Sequence, residues 1–304
     1  MDKWMNGLVD CADPAPGAPH QSINPSIHQS IRSAARLIVN ADDFGRSRLI
    51  NAAVIRAHRE GILTSASLMV NEPDAPEAIA LAKENPKLGV GLHLTLLCGR
   101  SALPPERIPS LVNAQGDFSD NPVGVGFRYF AQRGLREQLR AEIHEQFARF
   151  RASGLPLDHV NGHLHLHLHP TVFGLLCEDA AQLGIRRVRL TRDDFRLNAK
   201  LADGRWLYRM SHAALFVVLA ARSRDAFRRL NFRSPERVFG LLQDSHVDEE
   251  YVLKLLPRLP SGDSELYSHP ALDKFKHEFE ALISPRVRAR VAELGIQLIR
   301  YQDL

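Results

Sequence analysis

From residue 36 onward, short apolar runs rich in β-branched residues alternate with segments of helical spacing. RLIVNA (36–41) predicts a buried strand, which runs directly into Asp42, Asp43, Phe44 and Gly45. LINAAVIRAHR (49–59) has the periodicity of a helix, which Gly61 ends. SASLMVN (65–71) then predicts a strand, PEAIALAKEN (76–85) a helix closed before Pro86, and LGVGLHLTL (88–96) a third strand carrying His93. The Pro- and Gly-rich stretch that follows, roughly 25 residues, is longer than a scaffold needs and is a candidate substrate loop. GLREQLRAEIHEQFARFRASG (134–154) predicts an amphipathic helix, VFGLLCEDAAQLG (172–184) a helix and IRRVRL (185–190) a strand. Farther on come RVFGLL (237–242) as a strand, EEYVLKLLPRLP (249–260) as a helix interrupted by Pro257, and ELYSHP (265–270) as a strand ending in His269. VRARVAELG (287–295) is a helix before a last strand, IQLIRY. About eight strands alternating with helices predict a parallel α/β fold, most simply a TIM-like (β/α) barrel of seven or eight strands, with a distorted form fitting almost as well.

One stretch stands apart. In LDHVNGHLHLHLHP (157–170), His163, His165, His167 and His169 alternate with leucines. Side chains of a strand alternate between faces, so the pattern predicts a strand with a leucine face on the core and a histidine face toward something polar. Alternate residues on a strand lie ~6.6 Å apart, whereas zinc holds each imidazole nitrogen at about 2.0 to 2.1 Å, so one metal takes one or two of these histidines and not four.

Composition narrows the class. Lys plus Arg number 39 against 35 Asp plus Glu, a surplus too small to argue for nucleic acid. The three cysteines lack CxxC spacing, so reduced thiols and a cytosolic setting are expected. No run is apolar for long enough to span a bilayer. The longest, AALFVVLAA (213–221), reads as a core or amphipathic helix, and the arginines after it leave peripheral contact with the inner membrane open. Residues 1–34 read as a disordered extension or an upstream start outside the fold, and 35–304 as one domain.

Asp42, Asp43, His93, His163 and His269 all fall at or just beyond the C-terminal ends of predicted strands, which in a barrel converge on one face. Adjacent carboxylates at a strand end are costly, because each raises the other's pKa; the competing reading is that one of them caps a loop. One carboxylate plus two imidazoles suits Zn, Fe, Ni or Co with positions left for water and substrate, and suits Mg less well. A second carboxylate as base and a histidine as acid complete a set for metal-assisted amide hydrolysis.

At these residues the chain resembles the YdjC-like carbohydrate deacetylases. The matches are LIVNADDFG (37–45), GILTSASLMVN (61–71), GVGLHLTL (89–96), the histidine stretch and ELYSHP, in the expected order. The resemblance implies a barrel-like fold and removal of acetyl from an N-acetylated amino sugar. It implies Asp43, His93 and His163 as ligands of one divalent metal, Zn or Mg, Asp42 as general base and His269 as acid or oxyanion stabiliser. Asn161, His165, His167 and Arg189 are then expected to contact substrate or orient ligands. Asn161 stands where much of the family has Asp; an amide cannot serve as a base. NGHLHLHLHP and the basic, apolar region at 205–233 resemble most the hopanoid-associated (HpnK-type) branch, which implies an N-acetylglucosaminyl hopanoid as substrate, with chitooligosaccharide as the alternative. Peripheral membrane contact and a homodimer are the further expected associations. Two other classes compete: a non-catalytic metal-binding protein, which would take several weak equivalents and need no Asp42, and a barrel isomerase, which would release no acetate.

Overall fold

In the computed structural model, which describes residues 35–304, seven strands form one sheet. Strand β1 (Ala35–Phe44) lies centrally, with β2 (Ser65–Leu68), β3 (Gly89–Leu94) and β4 (Val160–Gly162) following on one side. On the other side come β6 (Gly262–Ser268) and then β5 (Arg237–Phe239), while β7 (Gln297–Ile299) pairs with the first half of β1. Every pairing is parallel. Between these strands run α1 (Arg48–Glu60), α2 (Ala75–Glu84), α3 (Pro122–Ala131), α4 (Arg136–Ala152), α5 (Pro170–Glu178), α6 (Ala180–Leu183), α7 (Phe195–Leu201), α8 (Trp206–Arg229), α9 (Glu249–Leu255), α10 (Lys276–Ile283) and α11 (Pro285–Glu293). The expected extension over 1–34 lies outside the described residues.

The sheet curls into a half-barrel and does not close into the ring of a TIM barrel. The gap falls at IRRVRL (185–190), expected as a strand, which makes isolated bridges only: Val160 pairs with Val188, and Arg187 with Arg233. Two constraints keep it irregular. β4 is three residues long and offers little ladder to extend, and the chain soon turns into α7, where the Asp194 side chain accepts from the Leu197 N–H at 3.0 Å.

Strand alternation sorts β1 into two faces. Leu37, Val39 and Ala41 join the main core, whereas Ile38 packs with Ile299 and Tyr301, and Asn40 and Asp42 follow it on the inner face. Helix α4 buries Leu139, Ile143, Phe147 and Phe150, one stripe at helical spacing. Glu142, also buried there, accepts from the N–H groups of Ala102 and Leu103 at 2.7 and 2.9 Å. The long loop after β3 is thereby pinned to the scaffold.

Close packing inside the half-barrel depends on Gly91 of β3, where an added Cβ would stand 2.5 Å from the His159 ring. That ring is fixed by Ser67 Oγ at 2.9 Å and by Asp158 Oδ2 at 3.1 Å, so it cannot move aside cheaply. Gly91→Ala should therefore lower stability by about 1–3 kcal/mol. Thermal unfolding checks this, and an unchanged Tm would contradict the packing described.

Candidate active site

Adjacent residues on a regular strand point to opposite faces, yet Asp42 and Asp43 both reach the same site. The β1–β2 register shifts between Ala41 and Phe44, and Asp43 takes φ 63°, in the left-handed region that a non-glycine residue rarely occupies. This bulge turns Asp43 toward the strand ends. Local strain of this kind persists where the surroundings over-determine it, and here they do. Asp43 Oδ1 faces His163 Nδ1 at 2.9 Å and His93 Nε2 at 3.3 Å, while Arg46 Nη1 donates to its Oδ2 at 3.1 Å.

His93 Nε2 and His163 Nδ1 are 3.4 Å apart, so three potential donor atoms, all buried, crowd around one point. Ligands placed about 2.0–2.1 Å from a zinc ion in a tetrahedron would sit about 3.3 Å from one another, which these separations match. Asp43, His93 and His163 therefore fit a divalent metal. The other side of His93 supports the same role: Nδ1–H donates to Asn161 Oδ1 at 2.7 Å, leaving the Nε2 lone pair turned to the cluster. Asn161 is oriented in turn, its Nδ2 donating to Asp42 Oδ1 at 3.0 Å and Ser67 Oγ at 2.8 Å. The amide suits this bridge between Asp42 and His93 because it donates on one side and accepts on the other.

Asp42 accepts four side-chain hydrogen bonds. Arg189 grips it in a two-pronged pair, Nη1 to Oδ2 at 2.7 Å and Nη2 to Oδ1 at 3.0 Å, and Asn40 Nδ2 adds a bond at 2.8 Å. The same guanidinium binds Glu265, which also accepts from the Tyr301 hydroxyl, and it lies 4.5 Å over the Tyr267 ring. Burial alone would raise the Asp42 carboxyl, but the Arg189 charge and His93 hold it far below the usual range. For Asp43 burial likewise pulls upward, and His163 and His93 together outweigh it. Arg189, expected among substrate or orienting residues, is fully buried between Asp42 and Glu265.

The histidine stretch does not continue as a strand. β4 stops at Gly162, where a Cβ would meet His167 Cβ and Leu94 O at 3.1 Å, and a 3₁₀ turn over His163–Leu168 follows with Leu164 and His165 at φ 48° and 57°. The four rings consequently diverge. His163 joins the donor cluster. His165, with Nε2 2.9 Å from Tyr267 Oη and Nδ1 3.2 Å from Thr191 Oγ1, lines a cavity. His167 is fully buried, with Nε2–H donating to the Arg189 carbonyl at 2.8 Å and burial lowering its pKa to about 3. It is not part of the wall of the cavity that His165 lines, and it braces the Arg189 carbonyl. His169 caps α5 and donates from Nε2 to Gly126 O of α3 at 3.0 Å.

His269, just past β6, faces Asp244 at 3.7 Å and Glu278 at 3.9 Å. Burial opposes its charged form, but Glu278, Asp43, Asp244 and Asp42 together raise its pKa. Asp42, His93, His165 and His269 open onto one cavity of about 860 Å³. Its remaining wall is mostly apolar: Phe127 and Phe130 of α3, and Leu215, Phe216, Val218 and Leu219 of α8. Of the long loop after β3, expected to meet substrate, only Leu97 reaches this wall.

Sequence reasoning missed Arg46, Ser67, Glu265, Asp244 and Glu278. For Glu265 a signal was present, since it alternates with Tyr267 along one face of β6, in step with His269 just beyond the strand. Arg46 and Ser67 carry no such mark.

The family model described as YdjC-like protein matches residues 36–293. The chain is 31% identical over 282 residues to a carbohydrate deacetylase of Geobacillus stearothermophilus, covering 88% of this chain and 96% of that protein. It is 32% identical over 276 residues to a chitooligosaccharide deacetylase of Proteus mirabilis, covering 88% and 98%. A crystal structure from Enterococcus faecalis, described as a proposed cellobiose-phosphate cleavage protein, superposes with a TM-score of 0.68 at 25% identity, covering 89% of this chain and 99% of that one.

Arg189→Met tests the buried network. The substitution leaves two carboxylates without their shared cation and should cost about 3–5 kcal/mol at neutral pH. A carboxyl whose folded pKa is depressed stabilises the native state above its unfolded pKa, about 3.9, and that contribution is lost as pH falls through the folded pKa. In the variant the orphaned carboxyl is raised by burial and regains its proton on acidification. The stability gap between wild type and variant should therefore narrow toward about pH 4, as denaturant titrations at several pH values will show; a gap that widens toward acid would contradict the assignment.

Proposed function

The chain belongs to the YdjC-like protein family, and on that premise we propose that it is a metal-dependent deacetylase that removes the N-acetyl group from an N-acetylglucosamine-type sugar carried on a hopanoid lipid. The observation that carries this reading is the meeting of Asp42, His93 and His269 at one cavity, with Asp43 and His163 completing a donor set beside them. The deacetylase relatives support the reaction and the acetylated sugar.

Asp43, His93 and His163 would hold the metal, and two imidazoles with one carboxylate favour zinc over magnesium. A bound divalent ion supplies a Lewis acid for the acetyl carbonyl and a lowered pKa for water. Asp42, kept ionised by Arg189, accepts the proton of the attacking water. Because that same pairing weakens Asp42 as a base, the proton it takes moves on to His269 once that residue has protonated the amine, which returns both groups to their starting states. His269, whose charged form is sustained by Glu278 and Asp244, donates a proton to the amide nitrogen as the C–N bond breaks. Acetate and the free amine leave.

The cavity wall supports a lipid aglycone. Each hydroxyl of a free oligosaccharide needs a polar partner when buried, whereas Val123, Phe127, Phe130, Leu215 and Val218 offer none. A cytoplasmic protein with free Cys98 and Cys177 accords with this reading.

Acetate release from an N-acetylglucosaminyl hopanoid and from chitobiose, with and without chelator, tests the proposal. Expected are chelator-sensitive release that His163→Ala abolishes, faster turnover of the lipid-linked sugar, and a kcat about 10²–10⁴-fold lower in His269→Ala. Preference for chitobiose would remove the lipid and keep the deacetylase. Silence toward both substrates with every divalent metal would overturn the reading.

A further inference from the structure

The mouth of the cavity is rimmed by apolar side chains that no element among the described residues covers. On α3, Val123, Phe127 and Phe130 are 81%, 72% and 64% exposed, and their spacing of four and three residues places them on one stripe. On α8, Leu207, Val217 and Val218 are 82%, 55% and 54% exposed, with Met210 and Leu215 about half so. A helix on a globular surface turns its apolar stripe inward and its charges outward. α8 departs from this along its first four turns: Ala214 and Ala221 are exposed with the larger residues, and Ser211 is the polar member of that face. Scattered exposed apolar residues are ordinary, but two such stripes flanking one opening are not.

Charge marks the occupant. The apolar part of α8 ends in Arg222, Arg224, Arg228 and Arg229, all exposed, and Arg205 stands exposed at its start. The single acid within α8 is Asp225, which pairs with Arg228. Arg133 lies exposed just beyond α3. An apolar patch bordered mainly by exposed arginines, with Asp120 and Asp203 as the exposed acids beside the helix starts, fits the interface of an anionic bilayer, with aromatic and aliphatic groups among the acyl chains and guanidinium groups at the lipid phosphates. No helix among the described residues is long and apolar enough to cross a membrane. Contact would therefore be made in the plane of the interface.

We propose that the α3–α8 rim is a docking face for an anionic membrane surface, which sets the mouth of the cavity against the lipid. This deepens the lipid-linked reading of the cavity and rests on it for its purpose. A substrate anchored in the bilayer then enters between Phe127, Phe130 and Val218 without its aglycone crossing water.

Flotation of the full chain with vesicles tests this independently of turnover, since it needs neither metal nor substrate. The probes are vesicles of phosphatidylcholine alone and of phosphatidylcholine mixed with phosphatidylglycerol. The variants are Leu207→Asp/Val217→Asp and Arg224→Glu/Arg228→Glu, none of which lines the cavity. The expected result is association with the anionic vesicles only, weakened about a hundredfold by the double Asp variant and clearly by the charge reversal, with circular dichroism unchanged. Acetate release from chitobiose by the variants, where the wild type shows it, is expected at the wild-type rate. Absence of association, equal association with both vesicles, or sedimentation showing that the same residues hold two copies of the chain together would overturn the proposal.

Discussion

Arg189 lies without exposed surface between Asp42 and Glu265, and its guanidinium is the charge that lets two carboxylates remain inside the sheet. Desolvating three charges is expensive, and their attraction offsets it only when nearly every lone pair and proton finds a partner. Here Asn40, Asn161, Tyr301 and the Tyr267 ring supply those partners. The same bonds that make the network tolerable also fix Asp42 in place. His167 extends the bracing outward by holding the Arg189 carbonyl, and β6 delivers Glu265, with His269 following just past its end. The buried arginine thus ties β1, β6, the irregular 186–192 segment and the chain end at Tyr301 into one frame.

Onto that frame the bulge at Asp42 and Asp43 sets two carboxylates with different neighbours. Asp42 faces the arginine and the inner sheet; Asp43 faces two imidazoles and Arg46. Identical side chains, adjacent in sequence, differ in chemistry because their neighbours differ. The polar end of the cavity is held by this hydrogen-bonded network, and the remainder is an apolar passage between α3 and α8. That contrast separates a charged, hydrogen-bonded end from an apolar one.

Much of this was legible in the residue pattern. RLIVNA running into two aspartates marked β1 and the site at its end, and the strands carrying His93 and His269 were found by their apolar runs. The histidine stretch misled because HLHLHL repeats with period two, while what bends it is tertiary: the tight approach of His167 to Gly162 and the bond from His167 to Arg189 O. Arg189 was singled out, but not its partner in Glu265, since no local signal pairs residues so distant in sequence. α3 went unassigned because two glycines within PVGVGFRYFA weaken its helical pattern, yet Asn121 caps it and His169 anchors it from α5. α8 was visible as an apolar run, while its outward direction required the fold.

The central claim is the division of labour between Asp42 and Asp43, and calorimetric titration of zinc into wild type and Asp42→Asn, with acetate release measured on the same samples, tests it most directly. The account predicts one tight equivalent in both proteins, with acetate released by wild type alone. Several weak equivalents, or an Asp42→Asn variant that still deacetylates at the wild-type rate, would contradict it.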